Sequence, residues 1–217
     1  MVAFILESRG GGVKRKILTP RGLVGRMGHD MASEPTVLQF RHFEQMARLE
    51  EQYYGAEFIT PPEEAWRWYE RYPYTGVVEL VDDAVVGFVN LFPVKADIYE
   101  ALCEGRFNDH FLTLEGVADI AAPGEAPLHM FLSCVLVEPA YREQGLTRRL
   151  LVKAAAQYAA VRHRCTAVVT DNVTEDGEQF SLRYGFHLLC RSDHGSAVYA
   201  LPWAEFERAL TRGEGRG

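Results

Sequence analysis

Residues 129–158 constrain the fold more than any other part of the chain, because they predict a strand, a turn and a helix in succession. The apolar run 131–137 indicates a buried strand, and Pro139 marks the turn after it. Apolar residues then recur at helical spacing, at Leu146, Leu150, Leu151, Ala154, Ala155 and Tyr158. A helix with such a face has to pack on a sheet, which places its N-terminus beside the end of the strand.

The loop between that strand and that helix has the composition of a phosphate site. A pyrophosphate needs several converging donors, and the unpaired backbone amides of a helix N-terminus supply them, assisted by the positive end of the helix dipole. Gly145 lets the backbone approach closely, while Arg142 and Arg148 add cationic donors nearby. The loop therefore indicates a site for a cofactor's phosphates.

The same loop resembles motif A of the GNAT superfamily, the acetyl-CoA-dependent N-acyltransferases. The resemblance lies in residues 135–139 and 141–147, and the family pattern is Gln or Arg, any two residues, Gly, any residue, then Gly or Ala. Arg142 and Gly145 match this pattern, whereas Thr147 stands where Gly or Ala is usual. Because the role belongs mainly to the backbone amide, the departure is mild.

A second segment, residues 172–186, is similar to the family's motif B, in which a helix ends in Gly-Phe before the next strand. The resemblance covers about residues 36–201 and implies an α/β (α+β) fold. It implies a mixed, mostly antiparallel central sheet that is flanked by helices. This sheet is expected to splay between the strand ending at Val137 and the strand ending at Asn172, with acetyl-CoA in the split.

The resemblance also implies which residues contact the cofactor. Backbone groups of Val135 and Val137 are expected to bind the pantetheine arm and the acetyl carbonyl, and Asn172 is expected to face the arm from the opposite strand. Backbone amides of residues 143–148 are expected to hold the pyrophosphate. The complete expected set is Val135, Leu136, Val137, Arg142, Glu143, Gln144, Gly145, Leu146, Thr147, Arg148 and Asn172.

The implied activity is transfer of an acetyl group from acetyl-CoA to a primary amine of a small molecule or peptide by direct attack. Many family members place a Tyr five residues before the Phe of Gly-Phe, as the acid for the departing thiolate; here that residue is Ser181. Tyr184, one helical turn on, is a second candidate, with core packing as its alternative role. A neutral amine needs a base within reach, and His129 and Glu79 are the candidates, with structural roles open for both.

A second function is open on the same fold, namely a non-catalytic sensor that binds CoA or acyl-CoA. The absence of the usual Tyr at Ser181 favours it. No metal is expected, because Cys103, Cys134, Cys165 and Cys190 are widely spaced and have no His at ligand spacing.

The charge of the chain bears on its partners. The net charge is −7, but residues 1–33 carry six basic and two acidic side chains, so the remainder carries −11. An acidic body argues against nucleic-acid binding as the main activity and favours a cationic or amine-bearing acceptor. The identity of that acceptor is left open, as is a homodimer. A third function stays open, namely that the basic residues 1–33 recruit the protein to nucleic acid or to a partner.

Residues 1–33 are predicted to be a basic, poorly ordered tail, and residues 34–217 a single domain with an insertion at about 93–127. The insertion is interpreted as a lid or specificity element, with an acidic solvated excursion as the alternative. No apolar run approaches the ~20 residues of a membrane helix, and no signal peptide is recognisable, so a cytoplasmic location without membrane contact is expected.

The remaining patterns predict a strand at 36–40, helices at 43–54, 97–104 and 175–184, and a second helix opened by a capping box of Thr60 and Glu63 and ended before Pro73. Strands are predicted at 77–81, 84–92, 167–170, 186–190 and 197–201, and a terminal helix after Pro202. Gly87 is expected to mark a bulge or a close approach. The aromatic residues of the second helix (Trp66, Trp68, Tyr69 and Tyr72) are assigned either to the core or to a substrate-pocket wall.

Overall fold

The computed structural model describes residues 38–55, 59–108, 111–142 and 144–212, so the predicted tail at 1–33 lies outside the described residues. Six strands form one sheet in the order β1-β2-β3-β4-β6-β5. Their bounds are β1 Gly76–Val81, β2 Ala84–Val94, β3 Leu128–Val137, β4 Cys165–Asn172, β5 His187–Arg191 and β6 Ala197–Pro202. The α-helices are α1 Phe40–Glu50, α2 Pro62–Arg71, α3 Ala96–Cys103, α4 Pro139–Arg142, α5 Leu146–Ala156, α6 Glu175–Tyr184 and α7 Trp203–Thr211.

The centre of the sheet opens between β3 and β4. These two strands are parallel and pair only from Leu128↔Cys165 to Phe131↔Val169, whereas every other neighbouring pair is antiparallel. Beyond Phe131 the two strands continue without pairing to each other, β3 to Val137 and β4 to Asn172. The prediction of a mostly antiparallel sheet that splays at this point is confirmed.

Helices cover both faces of the sheet. On one face, here called the α5 face, apolar side chains of α5 and α7 such as Leu150 and Phe206 pack with strand residues such as Val135 in one buried cluster. On the other, the α1 face, Phe43 of α1 packs with Phe88, and α3 packs over β3, β4 and β6. The spacing of apolar residues in α5 thus buries its face against the sheet, as predicted.

Two sequence predictions near the start of the domain are wrong. Of the predicted strand at 36–40, residues 36 and 37 lie outside the described residues, Leu38 and Gln39 are not in a strand, and α1 begins at Phe40. The reason is local, because Gln39 and His42 form a capping box that starts the helix. The predicted cap of α2 is also wrong: Pro61 occupies the N-cap position without a side-chain bond, and the Pro at the first helical position starts the helix.

The hairpin of β1 and β2 is confirmed. Its turn residues Asp82 and Asp83 have φ values of 49 and 66, which is the left-handed conformation that two-residue hairpins require. Arg41 and His42 of α1 both contact the Asp83 carboxylate, at 2.8 and 3.0 Å. The hairpin is thereby joined to the helix that covers it.

Part of the predicted insertion at 93–127 packs on the sheet. It contains α3, and Val94 bridges Val117, which folds the following chain back against β2. Leu102, Phe107 and Leu112 are buried in one cluster with Phe131. Both interpretations of the segment, a lid or specificity element and an acidic solvated excursion, stay predictions.

Among the described residues, no helix is long and apolar enough to cross a bilayer. In the same part of the chain no three His, Cys, Asp or Glu side chains are grouped as metal ligands would be. All four cysteines are free thiols.

Candidate functional site

The backbone of β3 faces the split in the sheet. The N–H of Glu138 donates to the carbonyl of Val86 on β2, at 2.9 Å. Because backbone groups alternate in direction along an antiparallel strand, those of Leu136 also point to β2, whereas those of Val135 and Val137 point the other way. Since β4 has diverged there, the backbone of Val135 and the N–H of Val137 have no strand partner on that side, while the Val137 carbonyl accepts from Arg142 Nε.

The opposite side of the split carries two orphaned polar atoms. Thr170 and Asn172 of β4 are 0% and 1% exposed, and their Oγ1 and Oδ1 atoms have no hydrogen-bond partner. Asn172 donates through Nδ2 to Ser181 Oγ of α6 at 2.8 Å. A buried polar atom without a partner costs roughly 1–3 kcal/mol, so these two atoms are candidates to bond a buried water or a ligand. The residues at this position fit an amide-bearing chain such as pantetheine.

This orphaned hydroxyl yields a prediction. Replacing Thr170 with the isosteric Val removes an unsatisfied buried atom, so the free energy of unfolding of the cofactor-free protein is expected to rise by about 1 kcal/mol. Urea denaturation measures this change. If the hydroxyl is a cofactor contact, the same variant binds acetyl-CoA more weakly by calorimetry. Lower stability of the cofactor-free variant would show that Thr170 has a structural partner instead.

The N-terminus of α5 follows the end of β3 closely along the chain, and Arg142 of the intervening α4 bonds the Val137 carbonyl. Gly145 caps the helix with φ 69 and ψ 16, and its carbonyl accepts from the Arg149 N–H at 3.1 Å. The first turn contains no acidic side chain, so nothing there competes with a bound anion. The amides of Leu146 and Thr147 belong to this first turn, where helix geometry leaves donors without an intrahelical acceptor.

The two predicted cationic donors have structural contacts of their own. Arg142 Nε donates to the Val137 carbonyl at 2.8 Å, and its guanidinium lies 5.3 Å from the centre of the Tyr53 ring. Arg148 Nε donates to the Leu210 carbonyl of α7 at 2.6 Å. Both arginines therefore hold elements in place around the split, and the phosphate prediction rests on backbone amides. Of the remaining predicted residues, Gln144 donates through Nε2 to Ala140 O at 3.1 Å, and Glu143 lies outside the described residues.

The predicted acid candidates lie on α6 beside the split. Ser181 is fully buried and accepts the Asn172 bond. Tyr184 packs with its ring centre 4.5 Å from that of Phe180, and burial raises its pKa, with Arg183 opposing the rise. Ser181 is thus placed together with a predicted cofactor residue, and Tyr184 packs against the core.

The structure does not place the two predicted bases at the split. His129 lies in the paired part of β3, where its ring stacks on Tyr99 at 4.1 Å. Burial lowers the pKa of His129, and Glu100 partly offsets this. Glu79 lies on the edge strand β1 and pairs with Lys153 of α5 at 2.7 Å. Both residues have the chemistry of a base. His129 lies away from the split because it is in the part of β3 that pairs with β4, and Glu79 lies away from it because β1 is an edge strand.

A pocket on the α1 face meets the split where β3 leaves β4. Ser133 has no partner on β2, because the register passes from Asn90↔Cys134 to Leu91↔Leu132. This bulge lies in the pocket wall, and the cavity volume is about 150 Å³. The other lining residues come from α1, α2 and the sheet: Leu38, Phe43, Met46, Ala47, Glu50, Thr60, Pro61, Glu64, Ala65, Trp68, Tyr69, Thr75, Gly76, Val78, Asn90, Phe92, Leu112 and Phe131.

The four aromatic residues of the predicted second helix divide between the two roles predicted for them; Tyr72 itself follows the last residue of α2. Trp68 and Tyr69 line the pocket. Trp66 packs with its ring centre 5.3 Å from that of Phe43, and Tyr72 is buried. Glu50 also lines the pocket, and its Oε1 lies 3.9 Å from Cys134 Sγ on β3. Sequence patterns did not indicate Glu50 or Ser133, because neither belongs to a motif.

A partly buried network at the end of β4 was also missed. His194 Nε2 lies 2.9 Å from Asp171 Oδ2, and its Nδ1 lies 2.9 Å from Asp193 Oδ1. Ser196 Oγ donates to the other Asp171 oxygen. Burial acts to lower the pKa of His194, but the bonds to Asp171 and Asp193 outweigh it and the pKa is raised. The sequence indicated only a turn here, because Asp171 is distant along the chain.

This network predicts a pH-dependent stability. A raised histidine pKa contributes stability that is full below the unfolded value of about 6.5 and is lost as pH rises through the folded value. The difference in unfolding free energy between wild type and His194→Gln is therefore expected to be largest near about pH 6 and to shrink in more alkaline solution. Urea denaturation across a pH series measures it. His163→Gln, at an exposed pair with Glu125, is the control and should change stability by less than about 0.5 kcal/mol. An increase of the His194 effect with pH would contradict the prediction.

Comparison with known proteins agrees with this geometry. The model of the acetyltransferase (GNAT) family matches residues 43–186. This match spans most of the sheet, the split and α5, and the chain therefore belongs to the GNAT acetyltransferase family. No curated protein sequence matches the chain significantly.

Solved structures are similar in fold. The GphF GNAT-like decarboxylase in complex with isobutyryl-CoA is 17% identical, with a TM-score of 0.55 over 76% of this chain and 97% of that chain. The loading GNATL domain of CurA from Lyngbya majuscula is 15% identical, with a TM-score of 0.55 over 77% of this chain and 96% of that one. At these identities the likeness establishes the fold.

Proposed function

We propose that this protein is an N-acetyltransferase that transfers an acetyl group from acetyl-CoA to a primary amine by direct attack. The observation that carries the proposal is the split between β3 and β4, with backbone of Val135 and Val137 that does not pair with β4 on one side and orphaned atoms of Thr170 and Asn172 on the other. The split meets a helix N-terminus and a separate pocket. Family membership and a relative whose structure contains isobutyryl-CoA support a CoA-type ligand.

Two groups of residues in this chain would bind two different parts of the cofactor, its pyrophosphate and its pantetheine arm. Amides in the first turn of α5 would hold the pyrophosphate, because they are donors at the positive end of an 11-residue helix. Backbone groups of Val135 and Val137, with Asn172 opposite, would align the arm. Bound acetyl-CoA supplies the acyl group as an activated thioester.

The pocket on the α1 face would hold the acceptor. The neutral amine nitrogen attacks the acetyl carbon and the carbon–sulfur bond breaks, while the amine loses one proton and the thiolate gains one. Glu50 is our candidate to accept the amine's proton, directly or through one water, since its carboxylate lies in the pocket wall beside β3. Positioning of the two reactants would supply much of the rate.

The experiment combines binding and turnover. Calorimetry with acetyl-CoA is expected to show one site per chain, and release of free CoA thiol is expected when primary amines are added. Free thiol without an amine would indicate hydrolysis rather than transfer. Absence of binding at millimolar acetyl-CoA would refute the proposal.

The second candidate is a non-catalytic module that binds CoA or acyl-CoA. Ser181, buried and bonded to Asn172 where many relatives carry a Tyr acid, is the observation that favours it. Binding of acetyl-CoA with no thiol release across a broad amine panel would support this candidate over the enzyme.

A further inference from the structure

The last residues of β4 have a strand neighbour on one side only. Beyond Phe131↔Val169 the described parts of β3 and β4 do not pair, while residues 170–172 still pair with β6. This segment carries the orphaned atoms of Thr170 and Asn172 that border the proposed cofactor site. Its distance from β3 therefore depends on what holds it from the β6 side of the sheet.

Asp171 lies between those two residues, and its side chain points to the opposite face of the sheet because direction alternates along a strand. Both of its carboxylate oxygens are bonded. Ser196 Oγ donates to Oδ1, and His194 Nε2 lies 2.9 Å from Oδ2. The Asp171 side chain is only 5% exposed. The turn at 192–196, which contains both partners, is thus fixed to the segment of β4 that borders the split.

This turn is itself packed against the chain that follows α3. The Asp193 N–H donates to the Gly105 carbonyl at 3.0 Å, and the Ser192 and Ser196 hydroxyl oxygens are 2.6 Å apart. A Cβ added at Gly105 would lie 2.9 Å from Ser192 Cα, so the two segments are in close contact. The turn can therefore act as a fixed support for Asp171.

The hydrogen bonds of the His194 ring require a proton on each nitrogen. Its two nitrogens face Asp171 and Asp193, and an ionised carboxylate only accepts, so each nitrogen must donate. Within the described part of the chain these two carboxylates are the charges that act on the ring. Cys190 of β5 lies near Asp171, but burial raises the pKa of its thiol and Asp171 adds to the rise. His194 is thus the member of this cluster whose ordinary pKa is nearest neutrality.

Resting on the proposed function, we infer that Asp171 and His194 are positioning residues for the cofactor. With His194 charged, its bond to Asp171 holds the end of β4 so that Thr170 and Asn172 face Val135 of β3 across the split, on either side of the pantetheine arm. With His194 neutral, the ring can donate to only one of the two carboxylates, and the support for β4 weakens. Cofactor affinity is therefore linked to the protonation of a residue that does not contact the cofactor.

Calorimetry with acetyl-CoA across a pH series tests this link. Wild type is expected to bind about tenfold more tightly than His194→Gln near about pH 6.5, a difference of about 1.4 kcal/mol, and equally tightly near about pH 9, where the histidine is neutral. Ionisation of the cofactor's phosphate affects both proteins alike, so their ratio isolates the histidine. His163→Gln, at the exposed pair with Glu125, is the matched control and should follow wild type throughout.

A double-variant cycle tests whether His194 acts through Asp171. Asp171→Asn keeps the shape of the side chain and removes its charge. The protein that carries both Asp171→Asn and His194→Gln is expected to bind acetyl-CoA about as weakly as Asp171→Asn alone. Urea denaturation of each variant establishes that it is folded at the pH of the assay. If Asp171→Asn is not folded, Ser196→Ala replaces it; this variant keeps the histidine, so its affinity should still fall as pH rises.

The outcomes separate the inference from the proposed function. If acetyl-CoA binds but wild type and His194→Gln have equal affinity at every pH, the inference is overturned while the acetyltransferase stands. Additive losses in the double variant would overturn it as well, because His194 would then act without Asp171. If acetyl-CoA fails to bind at millimolar concentration, the proposed function itself fails.

Discussion

Replacing Thr147 with glutamate is expected to weaken acetyl-CoA binding by about 100-fold, equivalent to about 2.7 kcal/mol. Thr147 lies in the first turn of α5, where we propose that backbone amides hold the pyrophosphate. Two unit charges at about 4 Å repel by about 4 kcal/mol at an effective dielectric constant near 20, and solvent screening reduces this. Calorimetry with acetyl-CoA measures the loss.

The same substitution should leave the protein folded, since a carboxylate near a helix N-terminus interacts favourably with the helix dipole. The matched control is Val152→Glu, which adds the same charge to the same helix at a residue that is 43% exposed. Acetyl-CoA affinity in this control should change by less than about threefold. Equal losses in both variants would mean that overall charge, and not the helix N-terminus, governs binding.

Replacing Gly87 with alanine is expected to lower the free energy of unfolding by about 1–3 kcal/mol. A Cβ at Gly87 would lie 2.9 Å from the Leu136 carbonyl oxygen and 3.2 Å from Leu150 Cδ1. The first contact is with backbone, so relief requires β2 to move away from β3 or α5 to move away from the sheet. Urea denaturation gives the size of the loss.

Gly76→Ala, on the neighbouring strand, is the control for this change. Its added Cβ would lie 3.4 Å from Asn90 Oδ1, an ordinary contact, so stability should change by less than about 1 kcal/mol. An equal loss in both variants would point to the general cost of altering a strand glycine. A stable Gly87→Ala protein would show that the β2–β3 pair can separate at little cost.

Local signals predicted the elements that rest on neighbouring residues. The β1–β2 hairpin followed from Asp82-Asp83, and the end of α6 followed from Gly185, which adopts φ 85. The same kind of reasoning failed at the start of the domain. Apolar alternation suggested a strand at 36–40, but a side-chain cap at Gln39 began α1. A single capping pair decides a helix start, and several residue types can form it.

The candidate bases show a different limit. His129 and Glu79 have the right chemistry, but their position relative to the split depends on strand order and on the point where β3 and β4 stop pairing. Glu50 carries no motif, yet the packing of α1 over the sheet brings it to the pocket. The sequence showed which residues have the chemistry of a base, but it did not show how far each of them lies from the split.

Parts of the candidate site differ in whether the sequence alone or the tertiary structure determines them. The loop that we propose to hold the phosphates could be predicted from the sequence, because Gly145 and the helix that follows it are local in the chain and need only a strand beside them. The pocket on the α1 face and the Asp171–His194 network were decided by the tertiary structure. They join residues from separate elements, and only the packing of those elements sets which charges and apolar surfaces meet.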